Sequence, residues 1–168
     1  MPTLISSDLR CRLVLLPRGY QFDSADNLYD LNWIDIGARI ASPGEISRLV
    51  RTRLATWELD AIADHCVNLA SGQRAMWHPR FFDSGLHLWV QRSSDRGDTC
   101  LVTVLLSAVT GPLPVDGLDL WRGDRFRHPE GLCEGVRFPC TFAALALFAS
   151  ELRAAMSGFP MRPLQKTG

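Results

Sequence analysis

Residues 32–72 read NWIDIGARIASPGEISRLVRTRLATWELDAIADHCVNLASG, and a change of period within them decides the fold. Over 32–41, Ile34, Ile36, Ala38 and Ile40 alternate with Trp33, Asp35 and Arg39, the period of a half-buried strand. Ser42-Pro43-Gly44 is a turn signal, and residues 46–54 alternate again, Ile46, Val50 and Leu54 against Arg51 and Arg53. Two such runs joined by a turn predict an antiparallel hairpin with one face on a core. The spacing then lengthens. Leu59, Ile62, Ala63, Cys66, Leu69 and Ala70 recur in steps of three and four, which predicts an amphipathic helix over about 57–71. Thr56 is placed to cap it, Glu58 and Asp60 suit its first turn, and Gly72 suits its end.

Working outward, residues 10–16 (RCRLVLL) form a β-rich run that Pro17 and Gly19 are expected to stop, followed by a turn-like stretch over 20–29. Downstream lie a short aromatic run at 76–82, an alternating run at 86–92 and a run at 100–107 that is apolar on both faces. A long segment punctuated by Gly and Pro fills 108–135, and 136–140 reads as a last strand, near an edge because of Pro139. Thr141 caps a second helix over about 142–156, FAALALFASELRAAM, apolar on most faces and so expected to be covered by sheet or by a partner. With no helix between 76 and 107, a doubly wound parallel sheet is disfavoured. The expected architecture is α+β: one domain over 1–168, an antiparallel β-sheet of about six strands (hairpin plus meander), and two helices packed on it. Residues 157–168 are expected to be a flexible tail.

Composition narrows the function classes. Eighteen basic residues balance eighteen acidic ones. That balance disfavours a general nucleic-acid binder, which needs uncompensated cations against phosphates. The basic residues are nearly all Arg, which suits bidentate contacts at protein interfaces; an arginine-rich codon bias would leave the same trace. The five cysteines are odd in number and widely spaced, with no CxxC pair, so reduced buried thiols are expected. No stretch approaches the length of a membrane span, and the N-terminus lacks the apolar run of a signal peptide. A cytoplasmic protein with no membrane partner is expected.

No nucleotide, metal or nucleophile motif is legible, and the chain is expected to be a binding protein with no catalytic residue, metal or cofactor. The four histidines never lie at the i, i+4 spacing of a helical metal pair. His65-Cys66 places a base next to a thiol, but neighbours on a helix diverge by about 100°, so core and flank is the plainer reading. The most distinctive composition is residues 117–131, GLDLWRGDRFRHPEG. Its Trp121, Arg122, Arg125, Phe126 and Arg127 are the candidate partner-binding residues, because Trp and Arg dominate interface hot spots. The plain alternative is that Trp121 and Phe126 pin a long loop to the body. Trp33 and Trp89, opposite their strands' aliphatic faces, either cover the second side of the sheet or meet a partner.

Taken in order, these features resemble a family of bacterial immunity proteins, the partners of wall-associated polymorphic toxins. The resemblance rests on Asp30-Leu31-Asn32-Trp33-Ile34 after an acidic run, on a helix from Glu58-Leu59 to Leu69-Ala70-Ser71-Gly72, and on Phe81-Phe82 before Leu86-His87-Leu88. Val136-Arg137-Phe138 running into an apolar helix completes it, over about residues 28–156. The family places a Glu in the aromatic segment where this chain has Asp83, and its pattern requires a shorter loop than 108–135. The resemblance implies a non-enzymatic protein that binds and blocks a toxin domain in the producing cell's cytoplasm. It carries over no binding residues, since immunity proteins recognise their toxins individually. A small-ligand-binding domain and an unrecognised hydrolase or transferase stay open, as does the oligomeric state.

Overall fold

The strands and helices run β1 (Thr3–Ile5), β2 (Arg12–Tyr20), α1 (Leu28–Leu31), β3 (Trp33–Ala41), β4 (Arg48–Ala55), α2 (Thr56–Ala70), β5 (Met76–Trp77) and β6 (Leu86–Arg92). They continue with β7 (Thr99–Ser107), β8 (Trp121–Arg122), β9 (Arg125–Arg127), β10 (Cys133–Thr141) and α3 (Phe142–Met156). The computed structural model describes residues 1–43, 48–79, 81, 84–93, 97–107, 121–122, 125–127 and 133–164, with backbone alone at 48, 49, 121, 122 and 127. The expected α+β class and antiparallel pairing are present. The counts differ: among the described residues there are two sheets instead of one, a four-stranded one in the order β1-β2-β3-β4 and a six-stranded one in the order β5-β6-β7-β10-β9-β8, and the short α1 is a helix beyond the two expected.

The alternation read at 32–54 is the β3–β4 hairpin, with Ile34 opposite Leu54 and Ala38 opposite Val50. Ile34, Ile36, Ala38 and Ile40 are buried, while Asp35 and Arg39 are exposed. Residues 44–47, including Ile46, lie outside the described residues. Pro17 does not stop β2. The strand passes through it by a register shift between Pro17 and Gly19 and goes on to pair Tyr20 with Ile34. A bulge absorbs one residue and lets the strand bend, which is how a sheet tolerates proline.

Both sheets turn an apolar face into the same core. Leu13, Leu15, Ile34, Ile36 and Leu54 of the first sheet join Leu86, Leu88, Val90, Val102, Val104 and Phe138 of the second in one buried cluster. The helices enter it with a single stripe each: Leu59, Ile62, Ala63, Cys66 and Leu69 from α2, and Leu145, Phe148, Ala149, Leu152 and Met156 from α3. The expected stripe of α2 is therefore the observed one. α3 is less covered than its composition suggests, because Ala143, Ala146 and Leu147 stay exposed. Small alanines carry little apolar area, so a sequence can read apolar all round while only one face is buried.

Both helices grow directly out of strands. Thr141 caps α3 as expected, its side chain accepting from the Ala144 N–H at 3.1 Å. Thr56 does not cap α2. β4 runs straight into the helix, so the cap position falls on Ala55, and the Glu58 carboxylate reaches back to accept the Ala55 N–H at 2.8 Å. The Thr56 hydroxyl is left buried without a hydrogen-bond partner. At the far end, Gly72 adopts φ +81 and the Gln73 N–H bonds the Asn68 carbonyl at 2.8 Å, the left-handed stop that glycine favours.

Two polar nodes hold the layers in place. Asn32, fully buried, donates from its side-chain amide to the carbonyls of Leu28 and Arg162, both at 2.9 Å, and accepts the Arg162 N–H at 2.6 Å. It thus ties α1 and β3 to residues past the last helix. There the Tyr20 hydroxyl donates to the Pro160 carbonyl, and the Arg162 guanidinium lies 3.4 Å from the Tyr20 ring centre. Those contacts belong to the stretch expected as a flexible tail, of which 165–168 lie outside the described residues. The second node joins the sheets. Thr52 of β4 hydrogen-bonds Ser84 at 2.9 Å and accepts the Gly85 N–H at 2.9 Å, all of it buried. Ser84 in turn accepts the Leu86 N–H at 3.0 Å. Replacing Thr52 by Val keeps the volume but strands the Gly85 N–H. A loss of about 1–3 kcal/mol in unfolding free energy is expected by urea titration, and a neutral result would remove this node from the structure's supports.

Candidate functional site

The second sheet has an outer face that the shared core does not touch. Strand register places on it a row running from His87 (β6) to Leu105 (β7), Gly135 (β10), Phe126 (β9) and Trp121 (β8). Beside it lies a row of Trp89, Thr103 and Arg137. Leu105, Phe126 and Cys133 form a small cluster separate from the main core, with Trp89 packed against it. Gly135 makes that cluster possible: a Cβ there would stand 2.1 Å from Leu105 Cδ2 and 2.7 Å from the Val104 carbonyl. The missing side chain is the slot through which Leu105 crosses β10 toward Phe126.

The candidate residues of the long segment occupy the sheet's end. Trp121 pairs with Phe126 and Arg122 with Arg125 in the β8–β9 hairpin, while Arg127 stands opposite Glu134 of β10. The structure thus brings all five together on the last two strands of the sheet. They divide in role. Phe126 is 9% exposed and serves as the anchor that fixes the hairpin on Leu105 and Cys133. Arg125 is half-buried on the other side of the strand. Asp116, Asp119, Asp124, His128 and Glu130 lie outside the described residues. β8, β9 and the start of β10 fall inside the segment 108–135 expected as a loop, because strands of two and three residues are too short to show a period.

A feature that spacing concealed lies on the same face. His78 and His87 both stack on Trp89, with ring centres at 4.4 and 6.1 Å and planes tilted 22° in each case. The alternation over 86–92 placed His87 and Trp89 on one face; nothing in the sequence showed that β5 would return His78 to them. Trp89 is therefore engaged by its own chain on several sides while staying half-buried, and Trp33 is buried. His87 Nε2 is buried with no hydrogen-bond partner. Burial holds the His87 imidazole below its ordinary pKa, and the nearby His78 adds to the effect.

The other chemistry-bearing groups face the core. Cys66 is fully buried and burial pushes its thiol up to about 12, with Cys100 adding to the shift. A nucleophilic cysteine needs the opposite shift, so Cys66 is not activated. The ring of His65, its neighbour, packs against that of Trp77, with centres 4.7 Å apart and planes tilted 31°. Cys100 and Cys140 sit opposite each other on β7 and β10, and a hydrogen bond to Cys100 is the main cause that raises the Cys140 thiol. Among the described residues no group of three or more His, Cys, Asp or Glu side chains is placed to hold a metal ion. Among those residues, too, no helix is long and apolar enough to cross a membrane.

The two lowered histidines make acid stability measurable. Burial also lowers His65. An unfolded chain takes up protons at its histidines near a pKa of about 6.5, and the folded chain resists until lower pH. The contribution of His65 and His87 is therefore complete above the unfolded value and is lost as pH falls through it toward the folded values. The urea midpoint is expected to drop between about pH 7.5 and about pH 5.5, and to drop less in His87→Gln. An equal slope in the variant would contradict the buried imidazole.

No curated protein and no solved structure matches the chain. A family model does, described as the immunity protein WapI-like family, over residues 4–160. That match runs from β1 past the end of α3 and takes in both sheets, Asn32 and the β8–β9 hairpin, stopping just short of Arg162. The chain belongs to the WapI-like immunity protein family.

Proposed function

We propose that this protein is an immunity-type inhibitor that binds a bacterial toxin domain and neutralises it without catalysis, in the cytoplasm of the cell that makes the toxin. The observation that carries the reading is the family match over residues 4–160, nearly the whole fold. The buried, protonated Cys66 beside a ring-stacked His65 is consistent with a binding role.

The contact surface we assign is the β8–β9 hairpin, with Trp121, Arg122, Arg125, Phe126 and Arg127. Three physical points support it. An edge hairpin at the end of a sheet is reached from outside without disturbing the core. Trp and Arg release large binding energies when they are desolvated against a partner. Phe126 is already seated on Leu105 and Cys133, so the hairpin has a rigid base and less ordering entropy is lost on binding. On this division Phe126 positions the hairpin, and the toxin wraps its edge, meeting Trp121 from one face and the arginines from the other.

The direct test is whether the chain protects cells that express a candidate polymorphic-toxin domain from the same genome, and whether the two proteins co-purify one to one. Protection with stoichiometric binding is the expected result; a toxin that kills regardless and never binds would contradict it. Trp121→Ala and Arg125→Ala are each expected to weaken binding by about 2 kcal/mol or more while thermal stability is retained. Unchanged affinity in both would move the contact surface elsewhere.

A further inference from the structure

We propose that Leu9, at the tip of the β1–β2 hairpin, is a knob that enters an apolar pocket bordered by carboxylates on the protein partner of this chain. The inference rests on the toxin-binding reading above and extends its surface. Leu9 is the one non-glycine residue among those described with positive φ, at +62. A branched side chain in that region crowds its own backbone, and glycine, asparagine or aspartate would sit there at less cost. Leu9 gains nothing inside the chain in return, for its side chain is 80% exposed, the most of any large hydrophobic residue described.

The conformation is held by the residues around it. Ser6 donates its N–H to the Cys11 carbonyl at 2.9 Å, accepts the Cys11 N–H on its hydroxyl at 2.9 Å, and accepts the Leu9 N–H on its carbonyl at 2.9 Å. The Asp8 carboxylate accepts from the Ser6 hydroxyl at 2.5 Å and from the Arg10 N–H at 3.1 Å. A bulky apolar side chain is thus fixed outward, in an unfavourable backbone conformation, by a turn that every neighbour over-determines. Such strain is retained where something outside the fold uses it.

Position and charge indicate what that is. Ser7 donates its N–H to the Pro139 carbonyl at 2.8 Å, which moors the tip to the open edge of β10. β9 pairs with the same edge at Glu134–Val136, so tip and β8–β9 hairpin follow one another along one strand, about 10 Å apart. Exposed Arg10 and Arg12 flank Leu9, and Ile5 opposite Arg12 is partly exposed. The complementary surface is an apolar pocket with an acidic border.

Leu9→Gly and Leu9→Asn separate this role from a structural one. Both remove the apolar side chain and relieve the backbone, so both are expected to melt at or above the temperature of the unmodified chain. Both are also expected to bind the candidate toxin domain used in the protection assay at least about tenfold more weakly than the unmodified chain, while Leu9→Met holds within about threefold. Variants that gain stability and keep full affinity would overturn the knob while leaving the toxin-binding reading in place. An unmodified chain that fails to bind that domain would overturn the toxin-binding reading, and the knob with it.

Discussion

Two sheets press their apolar faces into one core, and the rest of the molecule follows from the need to close that core from both sides. The first sheet contributes Leu13, Leu15, Ile34 and Ile36, the second Val90, Val102, Val104 and Phe138, and two helices fill the remaining sides with one stripe each. Sheets meeting this way need a fixed register, and apolar contact alone specifies register poorly. The buried Thr52–Ser84–Gly85 hydrogen bonds fix it, because each partner left unmatched would remain dehydrated and unpaired. Asn32 does the same for the chain's other end, where its amide copies a strand's bonding pattern to hold Arg162.

Closing the core on one face leaves the opposite face of the second sheet to find its own cover. The chain solves this with a second, smaller apolar cluster under a hairpin, and the solution depends on Gly135, whose absent side chain lets Leu105 reach Phe126. The open edge of β10 is then shared by two attachments, β9 on Glu134–Val136 and the β1–β2 turn on Pro139. Pro139 suits that place, since it has no N–H to offer the edge and its carbonyl is the group that Ser7 needs. A fold whose core is complete without these attachments is free to use them for recognition.

The sequence spoke clearly where a period extended over many residues. Ile34 to Ile40 announced a strand, Leu59 to Leu69 a helix, and Trp33-Ile34 with Glu58-Leu59 the family. It was silent where structure is made by distant residues. β8 and β9 are too short to show alternation, and their pairing with β10 is a tertiary event. Likewise β1, three residues long, exists because β2 is beside it. Thr56 looked like a cap because threonine so often is one, yet the direct passage from β4 moved the cap to Ala55 and Glu58 supplied the missing acceptor. As for the candidate surface, composition located the Trp and Arg residues, but not that Phe126 would turn inward. The left-handed Leu9 could not have been read at all, since nothing in Ser-Ser-Asp-Leu-Arg demands it.

The most direct measurement is amide hydrogen exchange of the chain alone and mixed with the candidate toxin domain against which it protects cells. Protection is expected along the β10 edge, at the β8–β9 hairpin and at residues 5–12, with the exposed faces of α2 and α3 exchanging as before. Protection confined to those helix faces, with the two attachments unchanged, would contradict the assignment of this edge as the recognition surface.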